Sequence, residues 1–179
     1  CSTLRSWDVL IVGAGHAGAQ AAIALRQRGF DGSIGLIGAE PDPPYERPPL
    51  SKEYLSGGKP FERIMIRPTA FWAERGIDLL LGAEVVGVDA ATRTVSMRDG
   101  SGFAYGELVW AAGGEPRRLT CAGHDLAGLH AIRTRGDVDR LIAELPAVER
   151  VGVIGAGQMG NGIAHVFALA GYALYLPPG

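Results

Sequence analysis

The sequence predicts an α/β protein: a mostly parallel sheet bearing a small antiparallel β-meander, followed by an incomplete second β-α-β unit. Three observations predict it. Short apolar runs bounded by glycine alternate with helix-forming stretches over the first eighty or so residues. Three β-rich runs then follow one another, with a hairpin signal between the last two. Near the end of the chain the opening strand, glycine loop and helix return.

Asp8-Val9-Leu10-Ile11-Val12 is apolar enough for a strand buried on both faces of a parallel sheet. Residues 17–28 read as helix, because Ala, Gln, Leu and Arg are strong formers and Ala21, Ala22 and Leu25 recur at helical spacing. Gly29 stops it, and residues 33–37 form the next strand, so strand, helix and strand fit one β-α-β unit. The segment Pro41-Asp42-Pro43-Pro44-Tyr45-Glu46-Arg47-Pro48-Pro49 carries five prolines in nine positions and is expected to be an extended surface loop. Ser51 is read as the cap of a short helix through Leu55, and Thr69 as the cap of a helix over 70–75 closed by Gly76. Residues 77–81 give a third parallel strand. Residues 84–88, 93–97 and 105–112 give the meander, with Asp99-Gly100 as its turn. Val138, Leu141, Ile142 and Leu145 mark an amphipathic helix over 137–145, with Asp137 as its cap. Residues 151–154 then lead into the second glycine loop, a helix to about Leu169, and a short run over 173–176.

Composition sets bounds on function. A hydrophobic share of 47% and a charged share of 20% suit a soluble globular chain. The net charge of -2 offers no basic field for nucleic acid, and no run of 18 or more apolar residues could span a bilayer. Cys1 and Cys121 make no Cys-x-x-Cys and join no metal-ligand cluster, so disulfide redox, zinc and iron–sulfur chemistry are not expected. No secretion signal is recognisable, so the cytoplasm is the expected compartment. The chain opens on Cys1 rather than Met and stops at Pro177-Pro178-Gly179, so both ends are expected to be cut. Two domains are expected, residues 1–116 and 117–179.

The chemistry lies in the glycines. A pyrophosphate can be held by the unpaired N–H groups and positive dipole end of a helix N-terminus, provided that the backbone comes close. In Gly13-Ala14-Gly15-His16-Ala17-Gly18, Gly13 permits the turn out of the strand, Gly15 the approach to the pyrophosphate, and Gly18 close packing of helix on strand. Gly155, Gly157 and Gly160 repeat the arrangement. The bland alternative, glycine-rich turns without a ligand, is weaker for the first copy, because an acid is also expected about twenty residues on to bind the adenosine ribose. Glu40, preceded by Ala39, stands there; in the second copy the equivalent positions are Pro177 and Pro178. A Rossmann-like dinucleotide fold follows, with a doubtful second site.

Residues 8–145 resemble the NADH-dependent ferredoxin reductases of oxygenase systems, the group of putidaredoxin, rhodocoxin and biphenyl-dioxygenase reductases. The resemblance rests on the first glycine loop, on Pro44-Tyr45-Glu46-Arg47-Pro48-Pro49-Leu50-Ser51-Lys52, on Ala111-Ala112-Gly113-Gly114-Glu115-Pro116-Arg117, and on Ile132-Arg133-Thr134. It implies an FAD-binding domain in which NADH reduces the flavin and a ferredoxin-type partner takes electrons singly, the protein positioning and tuning the cofactor. It further implies that His16, Ala17 and the loop glycines meet the pyrophosphate, Ala39 or Glu40 the ribose and Val85 the adenine side. Ala112 and Gly113 would join the cofactor site, and Arg47 and Arg133 would hold the cofactor from the rim. Lys52 would stand near the isoalloxazine ring as its tuning residue, where a cation stabilises negative charge on reduced flavin. The bland alternative for Arg47 and Lys52 is a pair of solvated charges beside prolines. No metal is implied.

The second loop departs from that pattern. The reductases carry Gly-Gly-Gly-Tyr-Ile-Gly-Leu-Glu there, and Gly162 stands where their Glu lies near the nicotinamide. Residues 151–172 resemble instead the start of a 3-hydroxyacyl-CoA dehydrogenase, through Gly155-Ala156-Gly157-Gln158-Met159-Gly160-Asn161-Gly162-Ile163-Ala164. His165 is read as a surface or packing histidine. Three functions are therefore weighed: the N-terminal part of an NADH:ferredoxin reductase binding FAD, with NAD(H) at the second loop; a nucleotide-binding module without turnover; and a fusion to a hydroxyacyl-CoA dehydrogenase start.

Overall fold

The structure, a computed structural model, describes residues 4–117, 119–155 and 157–175. Cys1, Ala156, Leu176 and the Pro177-Pro178-Gly179 end, all of which entered the sequence reading, lie outside these. The chain forms two compact units: Cys1–Glu46 with Met65–Gly114, and Arg47–Ile64 with Glu115–Gly179.

The first unit is a six-stranded sheet in the order β3-β2-β1-β6-β5-β4. Its strands are β1 Ser6–Val12, β2 Ile34–Ile37, β3 Ile77–Leu80, β4 Val85–Asp89, β5 Thr94–Met97 and β6 Gly102–Trp110. The pairs β3-β2, β2-β1 and β1-β6 are parallel, whereas β6-β5 and β5-β4 are antiparallel. Leu10 and Ile11 at its centre are fully buried, one toward each face, as the apolar run requires. On one face Ile11, Leu36 and Ile77 pack against Ala19, Ala22 and Ile23 of helix α1 (His16–Gln27) and Trp72 of helix α2 (Thr69–Glu74). On the other, Val95 and Met97 of β5 pack with Leu10 and Ile37, so the antiparallel end of the sheet folds over that face.

This is the Rossmann-like sheet with an attached meander that the sequence predicts, with one sharpening. Strand β6 closes the meander and is also the fourth parallel strand, pairing with β1 from Ser6↔Ala104 to Val12↔Trp110. It ends before Ala112, which the sequence reading had placed within it.

In the second unit, strands β7 (Arg150–Gly152) and β8 (Ala173–Tyr175) run parallel, with helix α4 (Gln158–Leu169) between them. Both α4 and helix α3 (Arg135–Glu144) pack against a 3-10 turn, Pro48–Ser51. Val138, Leu141, Phe167, Leu50 and Ile64 are buried in this unit.

Three capping expectations are corrected. Thr69 is the first helical residue of α2, its cap position is Pro68, and no side chain caps it. Ser51 ends the 3-10 turn and donates back to the Pro48 carbonyl at 3.4 Å, so it does not start a helix. Thr134 caps α3, and Asp137 is the reciprocal partner at the third position of a capping box, a role that any Thr-x-x-Asp leaves open until the backbone fixes it. The proline segment is also not simply an extended surface loop. Pro48 and Pro49 occupy the first positions of the 3-10 turn, where their fixed φ is an advantage, and Pro44, Tyr45, Pro49 and Leu50 are buried.

Candidate functional site

The loop 13–18 connects the end of β1 to α1, and its glycines answer different demands. Gly13 has φ +111, and a β-carbon there would stand 2.1 Å from the Ala111 carbonyl oxygen. A β-carbon on Gly18 would stand 1.8 Å from the Gly13 carbonyl oxygen, so helix α1 is seated directly on the turn. Gly15 is different. It sits at the N-cap with φ -80 and ψ -167, values that any residue adopts, and a β-carbon there would meet nothing within 4 Å. No protein neighbour calls for glycine at this position. A ligand lying on the first turn of α1 would do so, and the residues present fit a dinucleotide pyrophosphate.

The surroundings complete this end of the sheet. The Gly13 N–H donates to the Ile37 carbonyl at 2.8 Å, and the Ala111 N–H to the Val12 carbonyl at 2.7 Å, which brings β2 and the Ala111-Ala112 corner against the loop. Gly38 is a residue that the sequence reading missed. A β-carbon on it would lie 2.7 Å from the Ala14 β-carbon, so glycine lets the end of β2 touch the loop. Beyond it, Ala39 is exposed and Glu40 half-buried. The chain leaving β3 folds back here: Gly82 N–H donates to the Glu40 carbonyl and Ala83 N–H to the Gly38 carbonyl, both at 2.9 Å. Ala39 consequently lines a cleft of about 380 Å³ with Gly82, Ala83, Glu84, Met97, Arg98 and Phe103 among its walls. Val85, half-buried, begins β4 beside it. His16 and Ala17, in the first turn of α1, are exposed, as are Ala112 and Gly113 beyond β6.

Arg47, Lys52 and Arg133 belong to the second unit. The Arg47 guanidinium donates to the Arg133 carbonyl at 2.6 Å, a pairing that the sequence did not announce. Lys52 is exposed, on a segment held from both sides. Its N–H donates to the Pro49 carbonyl at 3.0 Å, and two residues on, the Tyr54 hydroxyl donates to Asp139 at 2.6 Å. Burial and the Asp139 carboxylate push the Tyr54 phenol above its ordinary pKa, with Arg135 opposing. Arg135 also lies over the Phe61 ring at 4.0 Å. Burial raises the pKa of Asp137, but bonds from the Thr134 backbone and hydroxyl and the Arg133 N–H, with the Arg140 charge, outweigh it and leave the carboxyl below its usual range.

The second loop repeats the first at its glycines. Gly155 has φ +105, Gly157 caps α4 with φ -70 and ψ -176, and a β-carbon on Gly160 would lie 1.6 Å from the Gly155 carbonyl oxygen. A β-carbon on Gly155, however, would meet nothing within 4 Å. Among the described residues its strand has one partner, β8. His165 is exposed on α4, as the surface reading expects. No described helix is long and apolar enough to cross a membrane, and among the described residues no group of three or more His, Cys, Asp or Glu could hold a metal ion.

Similarity to known proteins follows the same lines. The chain is 59% identical to a ferredoxin–NAD(P)+ reductase of Sphingomonas sp. over 165 residues, 92% of this chain and 40% of the relative. It is 38% identical to rhodocoxin reductase of Rhodococcus erythropolis, over 88% of this chain and 37% of that protein. The chain thus spans about 40% of the length of these curated relatives. Among solved structures it resembles the reductase in a covalent putidaredoxin reductase–putidaredoxin complex, with a TM-score of 0.88 at 34% identity, covering 96% of this chain and 42% of that one. A ferredoxin reductase from Rhodopseudomonas palustris matches with a TM-score of 0.88 at 35% identity, over 94% and 42%. The match to the family model called pyridine nucleotide-disulphide oxidoreductase covers residues 7–176 and so runs through the second loop. The resemblance of residues 151–172 to a hydroxyacyl-CoA dehydrogenase accordingly finds no support. With a family match over nearly its whole length, this chain belongs to the pyridine nucleotide-disulphide oxidoreductases.

Proposed function

We propose that this chain is the part of an FAD-dependent NAD(P)H:ferredoxin oxidoreductase that holds the ADP half of the flavin on the loop 13–18. The single observation that carries the reading is Gly15, a glycine at ordinary dihedral angles with open space where a side chain would go. The reductase names and structures among the relatives support the same activity and a ferredoxin-type electron acceptor. A bound flavin would supply the switch from two-electron hydride chemistry to single-electron transfer. The chain's residues would do the rest. Gly13, Gly15, His16, Ala17 and Gly18 would meet the pyrophosphate, Ala39 and Glu40 the ribose, Val85 the adenine, and Ala112 and Gly113 the far side of the loop. Arg47 and Arg133 would hold the cofactor at its rim, with Lys52 stabilising negative charge on the reduced ring. NAD(H) would use Gly155, Gly157 and Gly160. We place the protein in the cytoplasm and its functional division at residues 1–116 and 117–179.

The test is direct. The purified chain is expected to carry, or to retain when offered, FAD with its visible absorbance. A colourless chain that retains no added FAD contradicts the proposal. A second reading, nucleotide binding without turnover, is favoured by the sparse surroundings of the second loop, whose strand pairs only with β8 among the described residues. NADH-dependent reduction of ferricyanide by the isolated chain would reject it.

A further inference from the structure

We propose that Tyr45 is the positioning residue of the ribose end of this site, its phenol fixing the Glu40 carboxylate in the orientation that receives the adenosine hydroxyls. The inference rests on the reading of the loop 13–18 as a nucleotide site and adds what holds its acid in place.

Tyr45 sits in the proline-rich segment but is not a loop residue in the physical sense. It forms an antiparallel bridge with Met65, and the preceding Pro44 carbonyl accepts from the Ile66 N–H at 2.9 Å. Prolines at 43 and 44 fix φ on the approach. The tyrosine is 4% exposed, so the ring is clamped and its hydroxyl cannot swing into water. That hydroxyl donates to Glu40 Oε2 at 2.5 Å. A buried hydroxyl without a partner is costly, so the phenol stays on the carboxylate and the carboxylate on the phenol.

Glu40 has three side-chain torsions, and freezing them during binding opposes affinity. Here they are restrained in advance. Its backbone is restrained as well, through the Gly82 N–H on its carbonyl and the close approach of Gly38 to Ala14 two residues earlier. An ionised carboxylate offers about four acceptor directions, so accepting from Tyr45 is compatible with also accepting from a ribose hydroxyl. The arrangement is a clamped phenol, an oriented acid, and a dinucleotide loop against the same strand end.

Such a device predicts discrimination between ribose hydroxyls rather than affinity in general. The experiment is calorimetric titration of ADP and of 2′-deoxy-ADP into the unaltered chain, Tyr45→Phe, Glu40→Gln and the double variant. The unaltered chain is expected to prefer ADP by about tenfold, the scale of one charge-assisted hydrogen bond. Tyr45→Phe removes one oxygen from a ring whose packing is kept, and a thermal midpoint within a few degrees verifies the fold. It is expected to lose most of the ADP preference, to leave 2′-deoxy-ADP binding within about twofold, and to add nothing when Glu40 is already Gln. Retention of the full preference in Tyr45→Phe overturns the inference, as does equal weakening of both nucleotides that persists in the Glu40→Gln background. A chain that binds neither nucleotide overturns the underlying site reading itself, a separate and recognisable outcome.

Discussion

The two glycine loops hold their glycines alike and differ in what surrounds them. Their first glycines lie at φ +111 and +105, and a β-carbon on the third glycine would stand 1.8 and 1.6 Å from the carbonyl oxygen of the first. Around Gly13 stands the Ala111 carbonyl at the end of β6, while β1 is paired on both sides. Around Gly155 no comparable wall stands among the described residues, and Ile154 just before it is 67% exposed where Val12 is 5%. Loop conformation is thus written locally, in three glycines and a strand-to-helix step, whereas the enclosure that makes a loop into a site is written in distant strands.

Substitutions at the glycines can separate these levels. The largest effects are expected for Gly18→Ala and Gly160→Ala, since each puts a methyl group into a backbone carbonyl of its own loop. Each should cost about 3 kcal/mol or more in urea unfolding of its unit. Because the collision is internal to the loop, the two costs should be alike. Gly13→Ala and Gly155→Ala should not be. Both incur strain of about 1–3 kcal/mol for a side chain in this region, but only Gly13→Ala adds the collision with Ala111. Equal costs would show that the wall is unimportant.

Much of this was legible beforehand. The runs forming β1, β2 and β3 and the alanine-rich α1 announce themselves because their signals are local. The caps were misread because Thr69, Ser51 and Asp137 have side chains suited to capping at several offsets, and only the backbone decides among them. The burial of Tyr45 was invisible because its bridge partner, Met65, is twenty positions away. Within the candidate site, the glycines proposed for the pyrophosphate could be picked out by spacing, but Gly38, Tyr45 and the close approach of Gly13 to Ala111 could not, since each is a meeting of separate elements.

The second unit also leans on polar pins beside its apolar core, which gives a smaller effect of different character. Removing the Thr134 cap by substitution with Ala should destabilise α3 by about 1 kcal/mol at neutral pH. The Asp137 carboxyl is held below its ordinary range in the folded chain, so its contribution is present above the unfolded pKa of about 4 and is lost as pH falls through the folded value. The penalty of Thr134→Ala should therefore shrink below about pH 4, measured by denaturant titration across pH. A penalty independent of pH would place the cap's value in the threonine hydroxyl alone.

The measurement that bears most directly on the nucleotide site is Gly15→Ala, followed by both stability and FAD binding. Beyond its own chain neighbours the new methyl group meets no protein atom within 4 Å, so the unfolding free energy should fall by no more than about 1 kcal/mol, the scale of placing alanine at a helix N-cap. FAD or ADP affinity should fall at least about tenfold, since in the proposed site the methyl group would stand where the pyrophosphate approaches. Unchanged affinity in a stable Gly15→Ala chain would contradict the assignment of this loop to the cofactor.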